Sequence, residues 1–360
     1  MRILVFRTGQ LGDTLVALPA LHAIRNNFPR ASITLLYDRH VDQPYVLSRT
    51  LLEATGTIDE FLEYKIETAK GRLVQVANFL DAWQRIRRGK FDRLFQMSVA
   101  QRTRRQTLRD LLFFRSVGIW TICSADRFRQ ATQGGKPDFG APALHEADFY
   151  LQWLASEGLT VPPLGKGCMD LRISVAEMGC ASSALQGING SKALVAICAG
   201  SKDPVKVWPI EQFQELARVL RSKLNCEVVM MGDRKDYQIS QFIIDAAGGG
   251  LNLCGTTAPR ESAAVLKRCR IYLGNDTGCM HLAAAVGTPC VAIFSSRDVP
   301  GKWYPYGAGH RVFRTQIACQ GCMLKSCHEL DMACIKDIST SDVYAAAASL
   351  LSPALAVSPQ

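Results

Sequence analysis

A strand, a tight turn and a helix near residue 276 carry the residue types that bind anions. The apolar residues 271–273 precede Asp276, Thr277 and Gly278, and a helix-forming stretch follows them. The unpaired N–H groups at a helix start and the helix dipole both favour negative charge. We therefore predict that this turn binds a phosphate or another anion. The alternative is an ordinary Asp or Thr N-cap on a buried helix.

Two further polar loops follow apolar runs in the same half of the chain. Lys206 lies just before the Trp208-Pro209 pair that opens a helix. Its ammonium group could reach a phosphate, although an exposed loop lysine is the ordinary alternative. Asp236, in the loop after residues 226–231, could accept hydrogen bonds from ribose hydroxyls or could simply cap a helix.

The first polar turn of the chain offers a general base. Gly9 and Gly12 follow the apolar residues 2–6 in a glycine loop that lets the backbone approach a ligand closely. Asp13 is the carboxylate of that turn, and it could take a proton from a hydroxyl or merely cap the next helix. A helix N-terminus favours the charged carboxylate, so we expect a weak base unless burial offsets that effect. The turn lacks the G-x-G-x-x-G spacing, which argues against a nicotinamide dinucleotide site.

Taken together, these turns predict the transfer of a group from a nucleotide diphosphate. A cation and a helix N-terminus would meet the charge that develops on the leaving phosphate. The sequence contains no D-x-D triplet to hold Mg²⁺, so we expect neither a metal nor another cofactor at this site. The nearest triplet, Glu146-Ala147-Asp148, falls in an amphipathic stretch and is interpreted as a surface feature.

A cluster of four cysteines lies near the C-terminus. Cys319, Cys322, Cys327 and Cys334 have the spacing C-x2-C-x4-C-x6-C, which is compatible with a tetrahedral metal site. The adjacent His328 could replace one of the sulfur ligands. Thiols without a metal are one alternative, and disulfides are another, which a reducing compartment disfavours.

Strand and helix patterns alternate along the chain. Strands are predicted at residues 2–6, 32–37, 59–63, 92–97, 119–122, 193–198, 226–231, 270–273 and 290–294. Helices are predicted at residues 14–28, 210–224, 234–246, 258–268 and 278–286, with Pro19 kinking or restarting the first. Alternating apolar strands and helices indicate parallel sheets covered on both faces.

This alternation predicts an α/β protein with two doubly wound domains that face each other across a cleft. The first domain is expected over residues 1–180 and the second over residues 190–338, because the small and polar stretch between them is typical of a linker. Residues 339–360 are expected to form a C-terminal helix and tail that pack back toward the first domain.

The distribution of charge predicts an acidic partner. The net charge is +10, and residues 83–116 hold ten basic residues against Asp92 and Asp110, a net charge of +8. A nucleic acid, an anionic bilayer or a phosphorylated substrate fits such a segment, and a solvated helix face is the alternative. Because no apolar run approaches the roughly 20 residues of a membrane span and the first residues do not resemble a signal peptide, we expect a cytoplasmic protein.

Three blocks of the sequence resemble glycosyltransferase family 9, the ADP-heptose:lipopolysaccharide heptosyltransferase family. Residues 3–21 are similar to its N-terminal motif, and Lys206-Val207-Trp208-Pro209 is similar to its lysine motif. Residues 276–289 form the most specific match. The resemblance implies the GT-B fold, with a Rossmann-like acceptor-binding domain followed by a Rossmann-like domain that binds the nucleotide sugar.

The resemblance also implies an activity and a role for each site residue. It implies an inverting, metal-independent transfer of a sugar, heptose from ADP-heptose, to a lipopolysaccharide core or related glycan. Asp13 would be the general base, and Asp236 would bind the donor ribose. The residues implied for the donor diphosphate are Lys206, Asp276, Thr277, Gly278 and His281, although His281 could instead lock its helix into the sheet. The implied partners are the nucleotide-diphosphate sugar and an anionic glycolipid or glycan, with peripheral contact at the inner face of the cytoplasmic membrane and no nucleic acid.

Two other functions stay open from the sequence. A basic nucleic-acid-binding protein would need aromatic side chains between its arginines to stack on bases. The aromatic residues of the basic segment are mostly at apolar positions and are interpreted as core: Trp83, Phe91, Phe95, Phe113 and Phe114. A GT-B nucleotide-sugar epimerase would need a second acid/base group beside the donor sugar, and no candidate for one is found in the sequence.

Overall fold

The chain divides into two compact units. The computed structural model describes residues 1–42, 46–67, 71–98, 102–133, 139, 141–188, 191–327 and 330–352. Unit 1 comprises Met1–Pro137 and Glu146–Arg172, and unit 2 comprises Asp138–His145 and Ile173–Gln360. The division after Arg172 comes slightly before the predicted linker, of which residues 189–190 lie outside the described part.

Unit 1 is a parallel sheet with helices between its strands. Its strands are β1 (Arg2–Arg7), β2 (Ser32–His40), β3 (Glu60–Ile66), β4 (Arg93–Met97) and β5 (Thr121–Ser124). Its helices are α1 (Leu11–Asn27), α2 (Ser48–Leu52), α3 (Arg72–Gly89), α4 (Arg104–Ser116), α5 (Ala125–Thr132) and α6 (Glu146–Ser156). Pro19 lies within α1, which continues past it as one helix, so the predicted restart is not observed.

Unit 2 repeats this plan. Its strands are β6 (Ala193–Cys198), β7 (Cys226–Met230), β8 (Leu251–Asn252), β9 (Ile271–Asn275), β10 (Cys290–Phe294) and β11 (Arg311–Arg314). Its helices are α7 (Val175–Ala184), α8 (Ile210–Leu224), α9 (Tyr237–Ala246), α10 (Pro259–Arg268), α11 (Gly278–Ala285), α12 (Ala333–Lys336) and α13 (Thr340–Leu351). Two 3-10 turns span Pro204–Lys206 and Arg234–Asp236.

The order of the strands identifies where each sheet offers a crevice. The described strands of unit 1 pair in the order β3-β2-β1-β4-β5, and those of unit 2 in the order β11-β10-β9-β6-β7-β8. All these pairs are parallel. The order reverses between β1 and β4 in one sheet and between β6 and β9 in the other. Ligands of such sheets bind outside the carboxyl ends of the strands at this switch point.

The last helix is held by the core of unit 2. Val343 and Ala347 of α13 are fully buried among the residues of β6, β9 and α8. Burial of such side chains stabilises a helix that is too short to be stable alone. The expected packing of this helix toward the first domain stays a prediction, and residues 353–360 of the predicted tail lie outside the described part.

Candidate functional site

The switch point of unit 2 is organised around one buried amide. Asn275 ends β9 with no exposed surface. Its Nδ2 donates to the carbonyl of Ala199 (2.7 Å), just after β6, and its Oδ1 accepts from the N–H of Trp208 (3.1 Å). Trp208 is itself fully buried and donates through Nε1 to the carbonyl of Ile338 (3.0 Å). The loop that carries the lysine motif is therefore held to the end of β9 on both of its sides.

This arrangement brings Lys206 to Asp276. The Nζ atom of Lys206 lies 2.6 Å from Oδ2 of Asp276, and both side chains are mostly buried, at 22% and 11% exposed. The carboxylate directs the ammonium group to the start of α11. Asp276 would repel an incoming phosphate if it stood alone, whereas here its carboxylate is paired with Lys206; the diphosphate role of both residues stays a prediction. The sequence suggested both residues but not their pairing.

The amino end of α11 carries no side-chain cap. Thr277 holds the N-cap position with extended backbone angles, but its side chain makes no capping hydrogen bond, and its Oγ1 lies 3.8 Å from Sγ of Cys198. Gly278 is the first helical residue and adds no side chain there. The ordinary N-cap considered as an alternative is therefore not formed, because Asp276 bonds Lys206 instead. A helix start of this kind keeps its affinity for an anion.

His281 lies on the buried side of α11 as a neutral imidazole. Burial, together with the charges of His145 and Lys206, lowers the pKa of His281 to about 3. Its Nδ1 is buried without a hydrogen-bond partner among the described residues. A neutral ring can donate or accept one hydrogen bond but brings no positive charge to a diphosphate. The sequence predicts that His281 either contacts the donor or holds α11 to the sheet. In both cases its ring is neutral.

The lowered pKa of His281 predicts a pH dependence of stability. Between pH 6.5 and about 3 the unfolded chain binds a proton at this position that the folded chain does not. The free energy of unfolding should therefore fall as the pH falls below 6.5, by at most roughly 3 kcal/mol at pH 4. His281→Gln should lose that part of the slope when urea unfolding is measured at several pH values. His40→Gln, at a half-exposed position of unit 1, is the matched control and should keep the slope.

Asp236 lies at the carboxyl edge of the same sheet but is largely enclosed. Its Oδ2 accepts from the N–H of Asp233 (2.9 Å), and a side chain at Gly200 or Gly232 would collide with its carboxylate. Burial raises the pKa of Asp236, although the Asp233 N–H and the charge of Lys235 oppose that shift. The helix-cap alternative is thus present in the structure. The ribose role stays a prediction.

In unit 1, the loop after β1 places Asp13 at the third position of α1. Its Oδ2 accepts from the backbone N–H of Gln10 (2.8 Å), so the capping interaction is formed. Burial raises the pKa of Asp13, and the nearby guanidinium of Arg7 opposes that rise only in part. The condition stated for a useful base, that burial offset the helix terminus, is therefore met. The cap uses one carboxylate oxygen, and the role of Asp13 as a base stays a prediction.

The two glycines of this turn have different places. Gly9 has φ of +125° and donates its N–H to Oδ1 of Asp38 (3.0 Å), so this position favours glycine. Gly12 lies inside the first turn of α1 and not in the loop, because α1 begins at Leu11, earlier than the predicted start at 14. Of the two glycines, only Gly9 lies in the loop, and the close approach of a ligand there stays a prediction.

The buried guanidinium of Arg7 holds the turn that carries Asp13. Arg7 is fully buried and donates to the carbonyl oxygens of Asp13 and Met97 and to the hydroxyl of Tyr150. Tyr150 lies on α6, which packs against α1. Glu146 of the same helix is 1% exposed, pairs with Arg129 and further raises the pKa of Asp13.

The interpretation of Glu146-Ala147-Asp148 as surface is therefore wrong. All three residues are buried. Helix α6 has the predicted helical spacing of apolar side chains, but its polar residues Glu146 and Asp148 are buried too. A sequence does not show which charged side chains find a partner inside the protein, and Arg129 is that partner for Glu146.

The aromatic residues of the basic segment do not form a base-stacking surface. Phe91, Phe95 and Phe114 are buried as predicted, while Trp83 and Phe113 are half-buried and contact neighbouring side chains. The stacking platform that a nucleic-acid-binding protein would need is thus not supported. The absence of a nucleic-acid partner stays a prediction.

The cysteine cluster converges on Cys334. Burial raises the pKa of the Cys334 thiol, and Cys319, Cys322 and Cys327 lie near enough to raise it further. Within the described residues, no three metal-ligating side chains lie close enough together to hold an ion. His328 lies outside that part of the chain. The metal, the thiols and the disulfides considered for this cluster all stay open.

The chain resembles known glycosyltransferases in sequence. A model of glycosyltransferase family 9 (heptosyltransferase) matches residues 155–333, which include Lys206, Asp236 and the start of α11 but not Asp13. Lipopolysaccharide heptosyltransferase 2 of Salmonella typhimurium is 30% identical over 113 residues. That match covers 30% of this chain and 32% of that protein, so about a third of the length of this curated relative is represented.

Solved structures that cover 97% or more of the chain confirm the fold. The family 9 glycosyl transferase of Veillonella parvula has a TM-score of 0.77 at 22% identity and covers 97% of both chains. The ADP-heptose lps heptosyltransferase II of E. coli has a TM-score of 0.70 at 20% identity and covers 98% of both chains. The expected GT-B fold, with two Rossmann-like α/β domains, is therefore confirmed. Within the described residues no helix is long and apolar enough to span a bilayer. The chain belongs to glycosyltransferase family 9.

Proposed function

We propose that this protein is an inverting, metal-independent glycosyltransferase that moves heptose from ADP-heptose to a lipopolysaccharide core or a related glycan. The observation that carries the proposal is the Lys206–Asp276 ion pair at the uncapped start of α11, on the switch point of unit 2. A fixed ammonium group beside free helix amides suits a diphosphate. The names of the family and of the relatives favour ADP-heptose as the donor and lipopolysaccharide as the acceptor.

The chemistry divides between the two units. Unit 1 binds the acceptor, and Asp13 takes the proton from its hydroxyl group. The hydroxyl oxygen then forms a bond to the anomeric carbon of the sugar, while the bond from that carbon to the diphosphate breaks. The electron pair of the broken bond stays on the leaving phosphate oxygen, where Lys206 and the first amides of α11 stabilise it. One displacement from the opposite side of the ring inverts the anomeric centre.

Each remaining site residue has a narrower role in this proposal. Asp276 orients Lys206, and Thr277 and Gly278 leave the helix amides accessible. His281 donates or accepts one hydrogen bond as a neutral ring. Asp236 can bind a ribose hydroxyl through a lone pair that its cap with Asp233 does not use. The enzyme acts in the cytoplasm, at the inner face of the membrane that holds its glycolipid acceptor.

Nucleotide binding and transfer test the proposal separately. ADP should raise the melting temperature of the purified protein, since a ligand at 100 times its Kd stabilises the folded state by about 2.7 kcal/mol. UDP and GDP at the same concentration are the matched controls and should have smaller effects. ADP-heptose with a lipopolysaccharide-core acceptor should then release ADP at a rate that depends on the acceptor.

Three results would contradict this function. An unchanged melting temperature with millimolar ADP, UDP and GDP would exclude the nucleotide site. Conversion of the donor sugar without any acceptor would favour the epimerase alternative. ADP release at the same rate with and without acceptor would show hydrolysis in place of transfer.

A further inference from the structure

The amino-terminal half of α3 presents an apolar face to solvent. Leu73 is 87% exposed, and Val76, Phe79 and Leu80 are between 44% and 54% exposed. The buried residues of this 18-residue helix are Ala82 and Ile86, both in its second half. Single exposed apolar side chains are normal, but a group of four within two turns marks an interaction surface.

Leu73, Val76 and Leu80 follow one stripe of the helix, and Phe79 lies beside that stripe. Residues 73, 76, 80, 83 and 87 alternate in steps of three and four, so they share one face. The stripe changes from apolar to basic at its carboxyl end. There the guanidinium of Arg87 lies 5.0 Å from the ring centre of Trp83.

Helix α4 lies beside this stripe and extends it. The rings of Phe79 and Phe113 are 5.0 Å apart, and Nε1 of Trp83 donates to Oγ of Ser116 (2.9 Å). Leu108 and Leu112, one turn apart on α4, are each more than half exposed. We name as the α3–α4 surface the side chains Leu73, Val76, Phe79, Leu80, Leu108 and Leu112, together with the exposed arginines Arg87, Arg105, Arg109 and Arg115.

The two acidic side chains of these helices, Asp81 and Asp110, are each paired with arginine. Asp110 is buried and pairs with Arg102 (2.7 Å) and with Arg109 (3.0 Å), whose side chain is nevertheless 70% exposed. Asp81 lies off the stripe, one turn from Arg85, with which it pairs (3.4 Å). The exposed face thus combines leucines with arginines, and these helices carry more exposed arginines than acidic residues. Arg102, which sequence analysis places in the basic segment, is held by Asp110 and belongs to the fold.

The combination of charge and apolar area selects one occupant. A second copy meeting the same face would set arginine against arginine, which is repulsive. A nucleic acid would engage the arginines but leave the leucines in water. An anionic bilayer accepts both, since apolar side chains enter the acyl boundary and arginines meet the headgroups.

We propose that the α3–α4 surface binds an anionic lipid bilayer. This inference rests on the proposed function for its purpose, because a lipid-anchored acceptor is reached at such a surface. It adds which side chains make the contact. The leucines of α3 insert at the interface, and the arginines of α4 hold the protein to anionic headgroups.

Vesicle binding by the full chain tests the inference. We expect the protein to sediment with vesicles of phosphatidylglycerol and phosphatidylethanolamine and not with pure phosphatidylcholine. Leu73→Ser/Val76→Ser/Leu80→Ser should weaken binding at least tenfold at any salt concentration. Arg105→Gln/Arg109→Gln should weaken it roughly tenfold at low salt and less at high salt.

Matched controls come from exposed positions of unit 2. Phe242→Ser removes an apolar side chain that is 61% exposed on α9, and Lys267→Gln/Arg270→Gln removes two exposed charges. Both controls should bind vesicles as the unchanged protein does. All variants change exposed side chains, so their melting temperatures should stay within a few degrees of it.

Several outcomes would overturn the inference. These are unchanged vesicle binding by the leucine variant, an equal loss in either control, dimerisation through this surface in sedimentation, or tighter binding to RNA than to vesicles. Failure of the proposed function is distinguishable. ADP protection and transfer to a deacylated, water-soluble acceptor should be kept in the leucine variant, and their absence in the unchanged protein would contradict the function alone.

Discussion

Asp13→Asn is expected to lower the rate of sugar transfer by about 10²–10⁴-fold while ADP binding is unchanged. The carboxylate lies at the carboxyl end of β1, in the unit that does not contain Lys206. An amide of the same shape cannot take a proton from the acceptor hydroxyl. The measurement is kcat for transfer, with ADP protection in a thermal melt as the readout for the donor site.

The variant should still fold. The oxygen of an asparagine can accept the hydrogen bond from the Gln10 N–H that Asp13 accepts now. Burial raises the pKa of Asp13, which means that the ionised form is less favourable in the folded chain than in the unfolded chain. The stability contributed by this group therefore falls as pH rises from its ordinary value through the raised value. Asp13→Asn should be as stable as the unchanged protein at neutral pH, or more stable.

Asp342→Asn is a matched control, because Asp342 holds the same third helical position in α13 but is exposed. It loses the same charge at a helix start and should keep full activity. The unchanged enzyme should also gain kcat/KM with rising pH until Asp13 is ionised, since the base acts as the carboxylate. Transfer by Asp13→Asn at more than a tenth of the normal rate would remove Asp13 as the base.

The position of the candidate site could be predicted because strand ends are easy to recognise. Unbroken apolar runs such as residues 193–198 and 290–294 coincide with β6 and β10. The polar residues that follow each run then lie at one edge of a sheet. The short strands β8 and β11 were missed, since two to four residues carry too little apolar pattern to distinguish them from loops.

Pairing between distant side chains could not be predicted. Lys206 and Asp276 lie 70 positions apart, and their contact depends on the buried amide of Asn275, a residue to which the sequence pattern assigns no role. Glu146 was misassigned for the same reason. The apolar face of α3 was also missed, because exposure depends on what the rest of the chain leaves uncovered.

Lys206→Ala is expected to lower kcat/KM by roughly 10²–10³-fold, which corresponds to about 2.7–4 kcal/mol of lost transition-state stabilisation. Part of that loss comes from a new unfavourable charge. In the absence of the ammonium group, the carboxylate of Asp276, which is 11% exposed, stands unpaired beside the start of α11. It then repels the diphosphate that Lys206 attracted.

A second substitution separates these two contributions. Lys206→Ala/Asp276→Asn removes both charges, so it should bind ADP and transfer sugar better than Lys206→Ala alone. The coupling between the two positions in the double-mutant cycle should lie within about 0.5–3 kcal/mol. Lys202→Ala, an exposed lysine of the same loop, is the matched control and should change kcat/KM by less than a factor of two or three.

The cycle also distinguishes an electrostatic site from a structural ion pair. If Lys206 serves only to hold its loop, Lys206→Ala should lower the melting temperature and leave the affinity for ADP in the folded protein unchanged. If Lys206 binds the diphosphate, affinity should fall at an unchanged melting temperature, and the loss should shrink as salt screens the charges. Equal ADP affinity in the unchanged protein and Lys206→Ala would show that Lys206 does not bind the phosphates, and that its pair with Asp276 serves only to hold the loop.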